Sequence, residues 1–244
     1  MNADTLKMKP NINIALKDIK DYAKIAISVD CVIFGYNGNQ LNILVLESDM
    51  PPYKTQLSLI GDMVDVDEDL DQAALRILKE RVGFTDVYLE QVMAFGKLNR
   101  HPLGRVITVS YYSLISMSDH EPSSVLPLPA KWVDIYSIKN MAFDHIEILH
   151  AALDQLRKSV RFNPIGFNLL PAEFTLSQLQ NLYESIMNQS LDKRNFRKKI
   201  TAMGFLTDCH KNQVQVAHRP ARLFKFDLEK YHALEASGFV FEIS

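Results

Sequence analysis

Residues 62–84, DMVDVDEDLDQAALRILKERVGF, are the segment around which the rest of the chain is organised. A short acidic stretch leads into aliphatic residues that recur at i, i+3 and i+4, which is the spacing of one helix face. Asp67 or Asp69 can cap the first turn, because a short carboxylate accepts hydrogen bonds from its free N–H groups. Gly83 stands where a left-handed C-cap is preferred. The pattern therefore predicts an amphipathic helix over about residues 69–82.

The same segment resembles the signature box of the Nudix family, G-x5-E-x7-R-E-U-x-E-E-x-G-U, where U is an aliphatic residue. The positions that match the box are Glu68, Arg76, Leu78, Glu80 and Gly83. Three positions depart from it: Asp62 replaces the first glycine, and Ile77 and Arg81 replace two of the three metal-binding glutamates. We therefore expect no metal site, no cofactor and no catalytic residues, and a residual diphosphate hydrolase is the alternative. A capped amphipathic helix without a binding role also fits, since Ile77 extends the apolar stripe.

The composition is that of an ordinary soluble globular protein, with 47% hydrophobic and 23% charged residues and a net charge of −2. A chain of 244 residues can form one large or two small domains. The two cysteines, Cys31 and Cys209, do not suggest a disulfide framework or a metal site. The N-terminus lacks the apolar region of a signal peptide, and the most apolar run, Ile25–Phe34, is too short to span a bilayer. We therefore expect a cytoplasmic protein with no membrane partner.

Strand patterns alternate with helix patterns in the first two thirds of the chain. The expected strands are 24–36, 41–47, 88–97, 106–117 and 131–136, and a helix capped by Asp144 follows to about Val160. This order predicts an α/β (α+β) fold, a mixed sheet flanked by helices, over residues 1–161, with 1–22 as an N-terminal arm. Two prolines and a glycine in 161–171 place the domain boundary there, so that 162–244 form the second domain.

The second domain has the order of a winged helix-turn-helix. Thr175 and Gln178 form a capping box that opens a helix to about Met187, and Asp192 caps a second helix that ends at Gly204. Two short strands, Phe205–Cys209 and Leu223–Phe226, then frame a polar and basic tip. Helix, turn, helix and hairpin in this order are typical of a DNA-binding module.

Positive charge is concentrated in this domain, since residues 193–225 contain nine Lys and Arg and one acidic residue, Asp208. A recognition helix needs buried apolar anchors on one face and long cations and amides on the others. The candidate DNA-binding residues are Lys193, Arg194, Asn195, Arg197, Lys198 and Lys199 on the second helix and Lys211, His218, Arg219 and Arg222 on the hairpin. A solvated basic face on another helical domain, or a nonspecific nucleic-acid adaptor, would show some of the same pattern.

The two halves together resemble the Nudix-related transcriptional regulators, which join a catalytically degenerate Nudix-like domain to a C-terminal winged helix. The resemblance runs from about Ile25 to Phe226. Besides the box, the matching stretches are LEQVMAFGKLNRHPLGRVITVSYY (89–112), AFDH (142–145), PIGFNLLPAEFTLSQLQNLYE (164–184) and DKRNFRKK (192–199). The chain is most similar to the arabinose-responsive repressor branch of Bacteroidetes-type bacteria. The ADP-ribose-sensing regulators of NAD metabolism are the second branch.

This resemblance implies a homodimer that binds a palindromic double-stranded DNA operator and changes its affinity when a small effector occupies the Nudix-like pocket. It also implies a regulator, most simply a repressor, of carbohydrate-utilisation genes. The chain departs from the family near the pocket, where Asn99-Arg100-His101 replaces an Asp-Arg-Asp type run and Gly61-Asp62 replaces Gly-Gly.

The expected effector is a neutral polyol such as a pentose, because a sugar needs carboxylates and planar side chains that bond several hydroxyl groups. Asp30 is the first candidate, since a carboxylate within an apolar strand is costly without a partner. Further candidates on loops are Asp62, Asn99, His101 and Arg105. A salt bridge from Asp30 to Arg105 or Arg76 is the structural alternative. A phosphorylated effector bound by Arg100 and Arg105 also remains open.

Overall fold

A mixed seven-stranded sheet occupies the first part of the computed structural model, which describes residues 24–117, 129–214 and 220–243. The expected arm, 1–22, therefore lies outside the described residues. The strands are β1 (Ala26–Tyr36), β2 (Leu41–Glu47), β3 (Leu57–Ser58), β4 (Ile60–Met63), β5 (Tyr88–Phe95), β6 (Val106–Ser116) and β7 (Lys131–Asp134). Their order is β3-β2-β1-β6-β5, while β4 pairs with β1 and β7 pairs with β2. β1 and β6 run parallel along their whole length, and the other pairs are antiparallel.

Strand β1 changes its partner halfway along one edge. Its first half, Ser28–Cys31, pairs with β4, and its second half, Ile33–Tyr36, pairs with β2. Asp30 thereby faces Gly61 across the β1–β4 pair. A Cβ atom at Gly61 would lie 2.1 Å from Oδ1 of Asp30, so this position requires a glycine. The change of partner opens the sheet at the level of Asp30.

Two helices cover the two faces of the sheet, as the side-chain alternation of a buried strand requires. Helix α1 (Leu70–Val82) packs with Cys31 and Ile33, whereas α2 (His145–Phe162) packs with Val32 and Phe34. The alternation places Asp30 on the α2 face. The expected strands and helices of this half are confirmed, with ends that shift by at most two residues.

Local capping signals explain why α1 begins and ends as predicted. The Asp69 carboxylate accepts a hydrogen bond from the backbone amide of Gln72, and the side-chain oxygen of Gln72 accepts one from the backbone amide of Asp69. Gly83 takes a left-handed conformation, with φ of 79°, and its amide donates to the carbonyl groups of Leu78 and Lys79. Asp144 is different: it precedes α2 but makes no side-chain cap, so the prediction of a capping role for it is wrong.

The winged-helix order is confirmed in residues 174–236. Thr175 caps α3 (Leu176–Met187) with the expected Gln178 partner, and Asp192 caps α4 (Lys193–Ala202). The wing consists of β9 (Leu206–Asn212) and β10 (Arg222–Phe226). A third strand, β8 (Phe174–Thr175), and a last helix, α5 (Leu228–Ala236), complete the domain, and the sequence did not predict either. Helix α5 buries only Tyr231, so it lacks an apolar stripe that could have indicated it.

The segment between the two halves is partly buried, through Gly166, Phe167 and Leu169. Residues Pro164–Leu169 form a 3-10 helix, and the Phe167 ring stacks on Phe226 at a centroid distance of 4.5 Å. A single apolar cluster therefore continues from the α2 face of the sheet into the winged helix. The first half also supports the end of α3, where the Tyr136 hydroxyl donates to the Ser185 carbonyl and Arg157 Nε donates to the Ile186 carbonyl. Among the helices of the described residues, none has the length and apolar character needed to cross a bilayer.

Candidate functional site

An open cavity lies where β1 separates from β2, on the side of the sheet that carries the start of α2. The 48–50 loop, β4 and the last turn of α1 complete its wall. Asp30, Asp62 and His101, three of the five predicted effector residues, line this cavity. Asn99 lines a neighbouring shallow groove instead, and Arg105 lines neither. The structure thus brings together only part of the predicted set.

The floor of the cavity is a buried cluster of charged groups. Asp30, with 6% of its surface exposed, accepts a hydrogen bond of 3.3 Å from Arg100 Nη2. The same guanidinium donates to both carboxylate oxygens of Asp144, at 2.9 and 2.7 Å. His145 Nε2 lies 3.6 Å from the second oxygen of Asp30. Each buried charge therefore has a partner, as the cost of desolvation demands.

The partner of Asp30 is not the one that the sequence suggested. A salt bridge to Arg105 or Arg76 is ruled out by the positions of those side chains. The Arg105 guanidinium donates to the carbonyl groups of Gly96 and Lys97, and Arg76 is bonded to Glu68 at 2.6 Å. Arg100 lies in the run that departs from the family pattern, and its buried position depends on long-range packing that the sequence does not show.

His145 is held as a neutral imidazole. Its Nδ1 atom accepts the backbone N–H of Leu59 at 3.0 Å, so the ring proton resides on Nε2 and points toward Asp30. Burial lowers the pKa of His145. The prediction overlooked His145 and Phe143 as cavity residues, although both lie in the AFDH stretch that supports the family resemblance.

An aromatic wall stands beside the buried cluster. The His101 ring stacks on Phe143 with a centroid distance of 5.4 Å and an angle of 2° between the planes. Burial and the nearby Arg100 charge lower the pKa of His101. Both rings are half-buried and line the cavity, so they offer a planar surface to a ligand.

The remaining charged residues of the box pair with one another. Arg76 bonds Glu68 at 2.6 Å and Glu80 at 3.4 Å, and the Arg76 guanidinium holds the pKa of Glu68 at about 2. Ile77 is fully buried against the sheet. Arg81 donates to the carboxylate of Asp62, so two of the departures from the box form an ion pair. Within the described ranges no group of three or more His, Cys, Asp or Glu could hold a metal ion.

Some of the predicted basic side chains are exposed, and others form hydrogen bonds or ion pairs within the chain. On α4, Lys193, Arg194, Asn195 and Lys198 are exposed. Arg197 is half-buried and donates to the Ser177 hydroxyl of α3 at 2.7 Å, and Lys199 is half-buried as well. On the wing, Lys211 pairs with Glu173 and Arg222 pairs with Asp208, both at 2.8 Å. His218 and Arg219 lie outside the described residues.

Known proteins share both halves of this architecture. The family model described as the NrtR DNA-binding winged helix domain matches residues 166–226. A protein from Acinetobacter baylyi, the ADPR responsive transcriptional repressor NtrR, is 33% identical over 215 residues, which cover 86% of each chain. The chain belongs to the NrtR family of Nudix-related transcriptional regulators.

Solved structures of NrtR proteins have the same fold. The crystal structure of Shewanella oneidensis NrtR with a 27mer DNA has a TM-score of 0.74 and 25% identity, and the match covers 89% of this chain and 99% of that one. The Nudix domain of the same protein, crystallised with ADP ribose, matches with a TM-score of 0.50 and 28% identity over 61% of this chain and 99% of that one. The prediction of a Nudix-like mixed sheet followed by a winged helix is confirmed.

These NrtR relatives bear on the two family branches that the sequence left open. They support a Nudix-related regulator, but they do not support its arabinose-responsive branch or a sugar sensor. Asp30 was the first candidate for a pentose effector because a buried carboxylate needs a partner. In the structure Arg100 is that partner, so the burial of Asp30 no longer points to a sugar.

Proposed function

We propose that this NrtR-family chain is a DNA-binding transcriptional repressor whose affinity for its operator changes when ADP-ribose occupies the Nudix-like cavity. The observation that supports this most directly is the match to an ADPR responsive repressor over 86% of both chains, which includes the effector half and the DNA-binding half. The geometry agrees with the proposal. The aromatic wall of His101 and Phe143 suits a flat base, because aromatic rings stack on planar groups.

For the DNA interface we propose the exposed face of α4, with Lys193, Arg194, Asn195 and Lys198 directed away from the core. The apolar anchors Phe196 and Ile200 are buried on the opposite face, which is the arrangement of a recognition helix. We further propose that two copies bind a palindromic operator as a homodimer, since the symmetry of a dimer mirrors that of its half-sites.

The test starts from operator duplexes that the full-length protein selects from a random pool. Their affinity is then measured by fluorescence anisotropy with and without ADP-ribose, and with arabinose as the comparison. We expect ADP-ribose alone to change the affinity. A response to arabinose alone would return the protein to the sugar-sensing branch, and a response to neither would reject an effector role for both compounds.

Variants of exposed residues test the interface itself. We expect Arg194→Ala to weaken operator binding, by about 1–3 kcal/mol if the side chain reads a base edge. If Lys198 contacts a phosphate, Lys198→Ala should weaken binding to all DNA sequences alike. It should also lower the slope of log affinity against log salt concentration by about one. Lys54→Ala, an exposed lysine of the other half, is the matched control and should leave binding unchanged. Unaltered affinity in both α4 variants would reject this helix as the reader.

We also propose that the cavity binds its effector without hydrolysing it. Two of the three glutamate positions of the box hold Ile77 and Arg81, one buried and the other paired with Asp62. The check is release of products from ADP-ribose with Mg²⁺ or Mn²⁺. Turnover that Glu80→Gln abolishes would show that the domain is an enzyme after all.

A further inference from the structure

Arg81 is a partly exposed cation in the wall of the cavity. It projects from the last turn of α1 into the cavity wall, and 35% of its side chain is exposed. Its Nη2 atom donates to Asp62, whereas no acceptor among the described residues bonds its Nε or Nη1. A guanidinium carries five N–H donors, so most of the capacity of Arg81 to bond an anion remains available.

The other cationic groups of the cavity are already committed or neutral. Arg100 has a 3% exposed side chain and uses its donors on Asp30 and Asp144. Burial lowers the pKa values of His101 and His145, which favours the neutral form of both rings. Among the described residues that line the cavity, Arg81 is therefore the cation that can meet a ligand.

Asp62 is placed to compete with such a ligand. One of its oxygens accepts the Met63 amide at 2.8 Å, and the other accepts from Arg81, so the pair is fixed from the strand side. Both side chains are about one third exposed and can separate without entering the core. The acidic residues Glu47, which pairs with Lys131 at 2.6 Å, and Asp49 also line the cavity. An arriving anion therefore needs a specific cationic contact to offset the repulsion from Asp49.

We propose that Arg81 is the residue that contacts the diphosphate of the effector, and that Asp62 occupies Arg81 when the cavity is empty. This inference rests on the proposed function and deepens it by naming the anion contact of that site. The planar fork of arginine matches two phosphate oxygens at once, which makes the exchange of Asp62 for a diphosphate favourable. Competition predicts opposite effects of two substitutions on the affinity for the effector. Loss of Arg81 weakens binding, and loss of the Asp62 charge strengthens it.

Calorimetric titration of full-length protein with ADP-ribose in EDTA tests this exchange, since the chelator removes any metal-mediated contact. We expect Arg81→Gln to weaken binding at least about tenfold, which is the effect of losing one charge-assisted hydrogen bond. Arg81→Lys should retain part of the affinity. Asp62→Asn should bind several-fold more tightly. Lys79→Gln, an exposed lysine of the same helix turn that lies outside the cavity, is the matched control and should bind like the wild type.

The outcomes separate this inference from the proposed function. If the wild type does not bind ADP-ribose, the proposed effector and the anion contact both fail. If the wild type binds and Arg81→Gln binds equally well, only the role of Arg81 is rejected. If Arg81→Gln and Asp62→Asn lose affinity to the same degree, the pair is a structural clamp and the competition is refuted. Thermal melting of each variant confirms that the folded state is retained.

Discussion

At the scale of single residues, the cavity floor shows how a buried charge becomes tolerable. Asp30 and Asp144 share one guanidinium, and all three side chains are nearly excluded from solvent. Removing one member of such a cluster leaves the others charged and buried, which costs far more than the cluster contributes against an apolar replacement. The cluster is therefore sensitive to a single truncation.

We expect Arg100→Met to lower the free energy of unfolding by about 3–5 kcal/mol, because Asp30 and Asp144 lose their shared partner. Urea denaturation measures the change. Lys97→Met is the control, since it breaks an exposed pair with Glu147 and should cost less than about 1 kcal/mol. Equal effects of the two substitutions would show that the Arg100 cluster is not buried in solution.

His145 makes the stability depend on pH in a defined direction. Its pKa is lowered in the folded chain, so between the folded and the unfolded pKa the unfolded chain binds more protons. The folded state consequently loses stability as the pH falls below the ordinary histidine value of about 6.5. His145→Asn keeps an acceptor for the Leu59 amide but cannot be protonated. We expect its melting temperature to fall less than that of the wild type between pH 7.5 and 5.5; parallel profiles would exclude this role.

The sequence could predict some of these residues but not their partners. Asp30 was recognisable because a carboxylate interrupts an apolar strand, which is a local signal. Its partner Arg100 lies 70 residues away in sequence, and Arg100 also bonds Asp144, 44 residues further along the chain. No periodicity in the sequence indicates contacts over such separations. His145 was hidden for the same reason, since its acceptor role depends on the Leu59 amide, 86 residues away.

At the scale of elements, the helices with local signals were predictable. The caps of α1, α3 and α4 are formed by residues three positions apart, so local signals indicate them, although Asp67 and Asp69 were both candidates for the cap of α1. Asp144 is the exception, because Arg100 takes the carboxylate that would otherwise cap α2. β8 has only two residues and exists through its pairing with β10, which is a contact between distant segments.

Helix α4 contains one arginine whose role differs from that of its neighbours. Arg197 reaches back to Ser177 of α3 and is half-buried, so it joins the two helices of the helix-turn-helix. We expect Arg197→Ala to lower the free energy of unfolding by about 1–3 kcal/mol through the lost hydrogen bond. Lys198→Ala, the exposed neighbour, should leave stability unchanged and affect only DNA binding. The prediction fails if both variants melt like the wild type.

At the scale of the whole molecule, the two halves share one core. The apolar cluster includes Phe34 of the sheet, Phe167 of the connecting segment and Phe205 of the winged helix. The sequence suggested a boundary at 161–171 from its prolines and glycine. It could not show that Phe167 and Leu169 are buried there, because burial depends on what packs against them.

The shared core predicts that the two halves unfold together. Trp132, the single tryptophan, lies in β7 and reports on the first half alone. Phe205→Ala in the winged helix should cost about 3–5 kcal/mol. We expect it to lower the unfolding midpoint followed by Trp132 fluorescence as much as the unfolding midpoint followed by far-ultraviolet circular dichroism. Fluorescence that keeps its wild-type midpoint would demonstrate two independent folding units.

The ion pair of Asp62 and Arg81, together with the buried Ile77, determines what it would cost to restore the family residues at these three positions of the box. A glutamate at position 77 would place a carboxylate in a fully buried site, and a glutamate at 81 alone would face Asp62 with like charge. A glycine at position 62 alone would remove the carboxylate that pairs with Arg81. Each single substitution therefore leaves a charged group without a favourable partner, so restoring the residues of the box requires several substitutions together.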